Sequence, residues 1–193
     1  MRVGLLGGSF NPPHEGHLHI SEIALKSLDL DAVWWLVTPG NPLKSKAGLP
    51  SVGERMQMCR DINTDRRIIV CDLESKFGTA RTIDTVPKIL ANFPYTEFVW
   101  IAGTEIAHEF HRWYKWKELI HMLPFAFIGR PTIDRVVRNT VIHNSKGLVH
   151  HYPRYGNRHS LEKGHVYWIL SESRVAQSST NLRSQKGRFE LTL

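Results

Sequence analysis

The chain has little of what usually marks a disulfide scaffold, a metal protein or a membrane protein. Cys59 and Cys71 are its two cysteines, and they are not in CxxC spacing. Two isolated cysteines support neither a disulfide framework nor a zinc site, so each is read as a small buried apolar side chain. No apolar run approaches the roughly 18 residues needed to cross a bilayer. The opening MRVGLLGGSFNPPHEG has too short an apolar stretch for a signal peptide and turns polar too soon. A cytoplasmic protein with no membrane partner is expected. Internal repeats and low-complexity tracts are absent. So are the GxGxxG dinucleotide fingerprint and the GxxxxGK[ST] phosphate loop.

What is present is ordinary in bulk and uneven in charge. Hydrophobic residues make up 41% and charged residues 22%, a balance that excludes wholesale disorder. A length of 193 residues suits one domain spanning 1–193. The net charge is +7, and the stretch 130–165 carries +5 of it, seven Lys or Arg against Asp134 and Glu162. A basic stretch attracts nucleic acid or small anionic substrates alike. This one lacks the interleaved aromatics of a single-strand binder, so small anions are favoured and no nucleic-acid partner is expected.

Apolar runs alternate with amphipathic stretches. Residues 2–6, 32–38, 67–71, 98–102, 125–128 and 166–170 read as buried strands. Between the first two, Ile20, Ile23, Ala24 and Leu28 recur at helical spacing, predicting a helix over 15–28. Ser51 and Glu54 form a capping box that opens a helix reaching about Asn63. Pro87 predicts that the next helix starts near 84–86, because proline is tolerated in a first turn and not deeper. Ser178 or Ser179 caps a last short helix, and 131–164 is the least periodic region. Unbroken β-branched and aromatic strands alternating with helices predict an α/β fold with a doubly wound parallel sheet and flanking helices. Ligands bind such sheets beyond the strand carboxyl ends, which directs attention to the turns after Leu6, Thr38 and Ala102.

The first of those turns reads GGSFNPPHEGH from Gly7 to His17. Two glycines allow a sharp bend and a close backbone approach to a ligand. His14 and His17, three apart at a helix start, place two imidazoles together where helix amides favour phosphate. Such rings can donate hydrogen bonds to phosphoryl oxygens as charge develops. A metal site using His19 is the alternative, but His19 falls on another helix face and HExxH spacing is missing.

This stretch resembles the HxGH signature of the nucleotidyltransferase superfamily, and the fuller pattern is similar to the bacterial nicotinate-nucleotide adenylyltransferase family. Residues further along extend the likeness. Pro39, Gly40, Asn41, Pro42, Leu43 and Lys44 match a loop after the second strand; Ser51, Arg55 and Met58 match the helix that follows. RTIDT at 81–85 resembles an acceptor-binding segment, GTE at 103–105 with Phe110, Trp113 and Trp116 a G-x-D…W…W block, and SSTNLR at 178–183 a closing SSTxxR motif. Two positions depart: Asn11 stands where Asp is common, and Glu105 replaces the usual Asp with a carboxylate one methylene longer.

The resemblance implies a Rossmann-like fold and an enzyme of NAD biosynthesis that transfers AMP from ATP to nicotinate mononucleotide, releasing pyrophosphate. It implies that His14, His17, Lys44 and Arg183 are catalytic and contact the phosphates. Gly8, Ser9, Gly103, Glu105, Ser179 and Thr180 are then expected on the ATP side. Thr85 and Trp113 are expected on the acceptor, with Trp113 stacking on the pyridine ring. Mg2+ would arrive bound mainly through ATP phosphates, with no protein metal ligands. A phosphopantetheine adenylyltransferase is the nearest rival. A catalytically silent nucleotide sensor and a basic RNA-binding module are more distant ones. The oligomeric state is left open, a homo-oligomer included.

Overall fold

The computed structural model describes residues 1–40, 49–129, 137–153 and 159–170. The apolar runs form strands β1 (Arg2–Gly8), β2 (Ala32–Val37), β3 (Ile68–Cys71), β4 (Glu97–Gly103), β5 (Phe125–Gly129), β6 (Val149–His151) and β7 (His165–Leu170). They make a 7-stranded sheet in the order β3-β2-β1-β4-β5-β7-β6. Every pair in it is parallel. Order reverses at β1, which lies between β2 and β4. Pairing of β1 with β2 continues to Gly8↔Val37, whereas pairing with β4 stops at Leu5↔Trp100. The carboxyl ends of β1 and β4 therefore part after Leu5 and Trp100, opening a crevice at the switch point.

Side chains alternate between two cores. Val3, Leu5, Trp34, Trp100, Phe127 and Trp168 face one layer. Leu6, Val33, Trp35, Ile101, Ile128 and Ile169 face the other. Helices α1 (Glu15–Ser27) and α2 (Val52–Ile62) cover the second face. Helix α4 (Thr82–Asn92), with the short α3 (Leu73–Lys76), α5 (Thr104–Glu109) and α6 (Trp116–Leu119), covers the first. Both faces are thus buried, as uniformly apolar strands require.

Helix α2 begins as the Ser51 box dictates: Glu54 N–H donates to Ser51 Oγ at 3.2 Å and Ser51 N–H to Glu54 Oε2 at 2.8 Å. The start of α4 differs from expectation. It opens at Thr82, so Pro87 lies inside the helix. A proline there costs about 3 kcal/mol, but Val86 and Ile89 beside it are fully buried, each gaining roughly 1.5–3 kcal/mol. Packing outweighs the lost hydrogen bond.

The aperiodic region contains β6, which the sequence pattern did not reveal. Three residues on a sheet edge, with Val149 largely exposed, carry no alternation to read. Cys59 is buried and Cys71 half-buried, both free thiols; burial pushes each up to about 12. Among the described residues no helix is long and apolar enough to cross a membrane.

Candidate active site

The chain leaves β1 through Gly7 and Gly8 and turns at Phe10, whose φ of 47 is left-handed. Phe10 is buried, its ring 4.7 Å from that of His17 and 5.1 Å from that of Trp35. This apolar plug seats the turn on the sheet and fixes where α1 begins.

Helix α1 is capped by histidines. His14 is the N-cap in extended backbone, and its Nδ1 accepts from the Gly16 N–H at 3.1 Å. His17 reciprocates: its Nδ1 accepts from the His14 N–H at 3.2 Å. The arrangement is a capping box built from imidazoles. An imidazole nitrogen that accepts from an amide carries no proton, so in each neutral ring the proton resides on Nε2. The rings lie 3.9 Å apart. The turn thus presents two Nε2–H donors side by side.

Neither ring readily becomes a cation. Burial pushes His17 down to about 3, with the neighbouring His14 adding to the effect. Burial also lowers His14. Expectation from sequence placed unpaired helix amides at this site; two of the amides there, those of His14 and Gly16, are bonded to the rings. Each neutral ring keeps its Nε2–H as its remaining donor. Behind them, Ser21 Oγ donates to the His17 carbonyl at 2.8 Å and accepts from Trp35 Nε1 at 2.8 Å.

Across the crevice, Gly103 ends β4 and Glu105 stands exposed in the first turn of α5. The Glu105 carboxylate folds back over the Gly103 backbone, into the space a Cβ would take. Glycine therefore accommodates the longer acid here. On the β1 side, a Cβ on Gly7 would meet the Trp100 ring at 2.7 Å. Trp113 stands edge-on to that same ring at 6.0 Å and 88°. Gly7, Trp100 and Trp113 thus form a row from the histidine turn to the opposite wall. Trp113 is half-buried and ends a 3-10 turn, while Trp116 opens α6. Their helical spacing in sequence does not place them on one helix.

Thr85 is fully buried. Its hydroxyl donates to the Arg81 carbonyl at 3.0 Å and lies 2.7 Å from the Thr79 hydroxyl. It also adjoins Glu74, whose carboxyl burial pushes up while the Thr38 and Thr85 hydroxyls pull it down. That hydroxyl is engaged inside the protein. Arg81 lies over the Tyr114 ring at 4.5 Å, which brings the start of α4 beside the Trp113 segment. Lys44, Ser179, Thr180 and Arg183 lie outside the described residues.

Sequence reading gave no role to Arg55. It is 1% exposed, yet its guanidinium donates to the carbonyls of Pro50, Ser9 and Thr38 at 2.9, 2.6 and 2.8 Å. The available signal was its position one helical turn from Cys59, on the only face of α2 that is buried among the described residues.

A family model described as cytidylyltransferase-like matches residues 5–185. A probable nicotinate-nucleotide adenylyltransferase of Bradyrhizobium sp. (strain BTAi1) is 40% identical over 192 residues, covering 98% of this chain and 99% of that protein. A protein of the same name from Agrobacterium fabrum is 48% identical over 131 residues, 68% of this chain and 70% of its own. The fold is shared with Plasmodium falciparum nicotinic acid mononucleotide adenylyltransferase solved with NaAD. That match has a TM-score of 0.69 at 18% identity and covers 95% of this chain and 82% of that one. Near-complete coverage at 40% identity, on a parallel sheet with paired imidazoles at its switch point, means that the chain belongs to the nicotinate-nucleotide adenylyltransferase family of cytidylyltransferase-like nucleotidyltransferases.

Proposed function

We propose that the protein transfers AMP from ATP to nicotinate mononucleotide, forming nicotinate adenine dinucleotide and releasing pyrophosphate. The observation that carries this reading is the His14–His17 pair, two neutral rings with Nε2–H donors at the crevice between β1 and β4. An acceptor phosphate oxygen attacks the α-phosphorus in line. A new P–O bond forms as the bond to the β-phosphate bridging oxygen breaks, and that oxygen leaves on pyrophosphate. The acceptor phosphate is already ionised, so no enzyme nucleophile or general base is required. The chain's task is then to hold both phosphates in line and to donate hydrogen bonds as charge builds.

Neutral donors suit that task, since they bind the phosphates without holding the product as a fixed cation does. In this reading Lys44 and Arg183 supply the positive charge, and Ser179 and Thr180 further donors. Gly8, Ser9, Gly103 and Glu105 line the adenosine side. The start of α4 near Thr85 and the face of Trp113 receive the acceptor. Mg2+ enters this reading as an ion carried by the triphosphate and water. When bound, it offsets charge on the departing pyrophosphate.

The direct test is pyrophosphate release from ATP with nicotinate mononucleotide, nicotinamide mononucleotide or phosphopantetheine as acceptor. Fastest release with phosphopantetheine overturns the reading. Trp113→Ala is expected to raise the KM for nicotinate mononucleotide about two- to tenfold, from loss of roughly 0.5–1.5 kcal/mol of stacking, with the KM for ATP unchanged. Equal changes in both would return Trp113 to a packing role.

A further inference from the structure

We propose that Arg55 is a positioning residue for the polyphosphate: it clasps the histidine turn to the segment after β2 and sets behind both a positive charge that no carboxylate among the described residues pairs. The inference rests on the reading that ATP phosphates lie over the histidine turn.

Three contacts define the clasp. Arg55 Nη1 donates to the Ser9 carbonyl at 2.6 Å and to the Thr38 carbonyl at 2.8 Å. Nε donates to the Pro50 carbonyl at 2.9 Å. Ser9 belongs to the turn that carries His14 and His17. Thr38 and Pro50 precede and follow the stretch 41–48, which contains Lys44. One side chain therefore ties the histidine turn to the residues on either side of the stretch that contains Lys44. The Gly8 carbonyl adds to this by accepting from the Thr38 N–H at 3.0 Å. A planar guanidinium with fixed donor directions can hold several carbonyls at set angles; a lysine ammonium cannot hold the same set.

The charge matters separately. Arg55 is buried, and its three recorded bonds all end on neutral carbonyls. Among the described residues no carboxylate forms an ion pair with it. Burial pulls the guanidinium below its ordinary pKa, but an arginine stays protonated. A buried cation that only dipoles solvate is costly unless an anion comes near. A substrate polyphosphate is such an anion, so the buried charge is expected to favour the ATP-bound state.

The test uses inorganic tripolyphosphate and adenosine as separate probes in calorimetric titrations. Arg55→Met keeps volume and removes charge and clasp; Arg55→Lys keeps the charge alone. Arg55→Met is expected to weaken tripolyphosphate binding by about tenfold or more, and adenosine binding less than about twofold. Arg55→Lys is expected to recover most of the tripolyphosphate affinity while kcat stays about tenfold low, since the clasp is lost. Arg55→Met with wild-type tripolyphosphate affinity overturns the electrostatic part, and Arg55→Lys with wild-type kcat overturns the clasp. Should Arg55→Met fail to fold, nitrogen-15 spectra of the wild-type guanidinium decide. The Arg55 Nε–H signal must shift with tripolyphosphate and not with adenosine, and a signal blind to tripolyphosphate rejects the inference. If wild-type protein itself binds no tripolyphosphate, the nucleotidyl-transfer reading fails, whatever the variants do.

Discussion

Replacing His17 with alanine is expected to lower kcat by about 10³-fold while the KM for ATP changes only a few-fold. Loss of one preorganised donor to developing charge commonly costs about 10²–10³ in kcat. The upper end applies here because alanine also removes the Nδ1 that accepts from the His14 N–H. His14 then loses the partner that fixes its backbone, and the second ring goes out of place with the first. Helix α1 should lose about 1 kcal/mol of capping as well. Glutamine separates the two losses. At this position of a capping box a glutamine side chain can accept from the N-cap amide, so His17→Gln should recover the stability without recovering kcat. Near-wild-type turnover in His17→Gln would remove the ring from the chemistry.

The same residue sets a pH dependence of stability. His17 is held near 3 in the folded protein, well below the ordinary histidine value of about 6.5. A depressed folded-state pKa means the unfolded chain binds the proton first as pH falls. The contribution is therefore complete above about 6.5 and is lost progressively toward 3. His14, His150 and His151 are lowered too, mainly by burial, and act in the same direction. The urea midpoint should fall between pH 7.5 and 4.5, and fall less in His17→Gln. An identical fall in the variant would assign the effect to the other histidines.

Much of the fold could be read in advance because its strands are buried on both faces. Runs such as AVWWLV in β2 have no polar alternation to mislead, and each lies within a residue or two of its expected bounds. Six of the seven strands were recognisable for that reason. β6 was not, since a three-residue edge strand with two histidines owes its place to pairing with β7. α4 was mis-started because a local rule about proline met a stronger tertiary effect, the burial of Val86 and Ile89.

The histidine pair stood out by spacing, but its capping role did not. Histidine is outside the usual set of N-cap residues, although its Nδ1 occupies nearly the position of an asparagine side-chain oxygen. Arg55 matched the family helix in sequence but carried no role there for a related reason: an arginine on a helix is ordinarily assigned to solvent. Only coordinates reveal that its acceptors are three carbonyls on the connections after β1 and β2. Thr85 illustrates the converse, because a threonine in a motif reads as a ligand group until its hydroxyl is found engaged with Thr79 and Arg81.

Gly7→Ala should produce the largest loss of stability of any single methyl added near the site. Ideal Cβ positions there come within 2.7 and 2.9 Å of two Trp100 ring atoms. The cause is space rather than backbone angle, since Gly7 is not among the glycines with positive φ. Trp100 has nowhere easy to go: it is 2% exposed, with Phe125 at 6.3 Å and Trp113 edge-on at 6.0 Å. Overpacking of this kind costs about 1–3 kcal/mol, which for a chain this size lowers Tm by roughly 2–12 °C. The strain has a direction. A displaced Trp100 pushes on Trp113, so Gly7→Ala should also raise the acceptor KM more than the KM for ATP. Gly53→Ala serves as the comparison, because its added Cβ would meet nothing nearer than Ser51 Oγ at 4.0 Å. In a helix that change should stabilise by up to about 1 kcal/mol. Equal Tm values for Gly7→Ala and the wild type would mean that Trp100 yields freely. The row from the histidine turn to Trp113 would then carry no coupling.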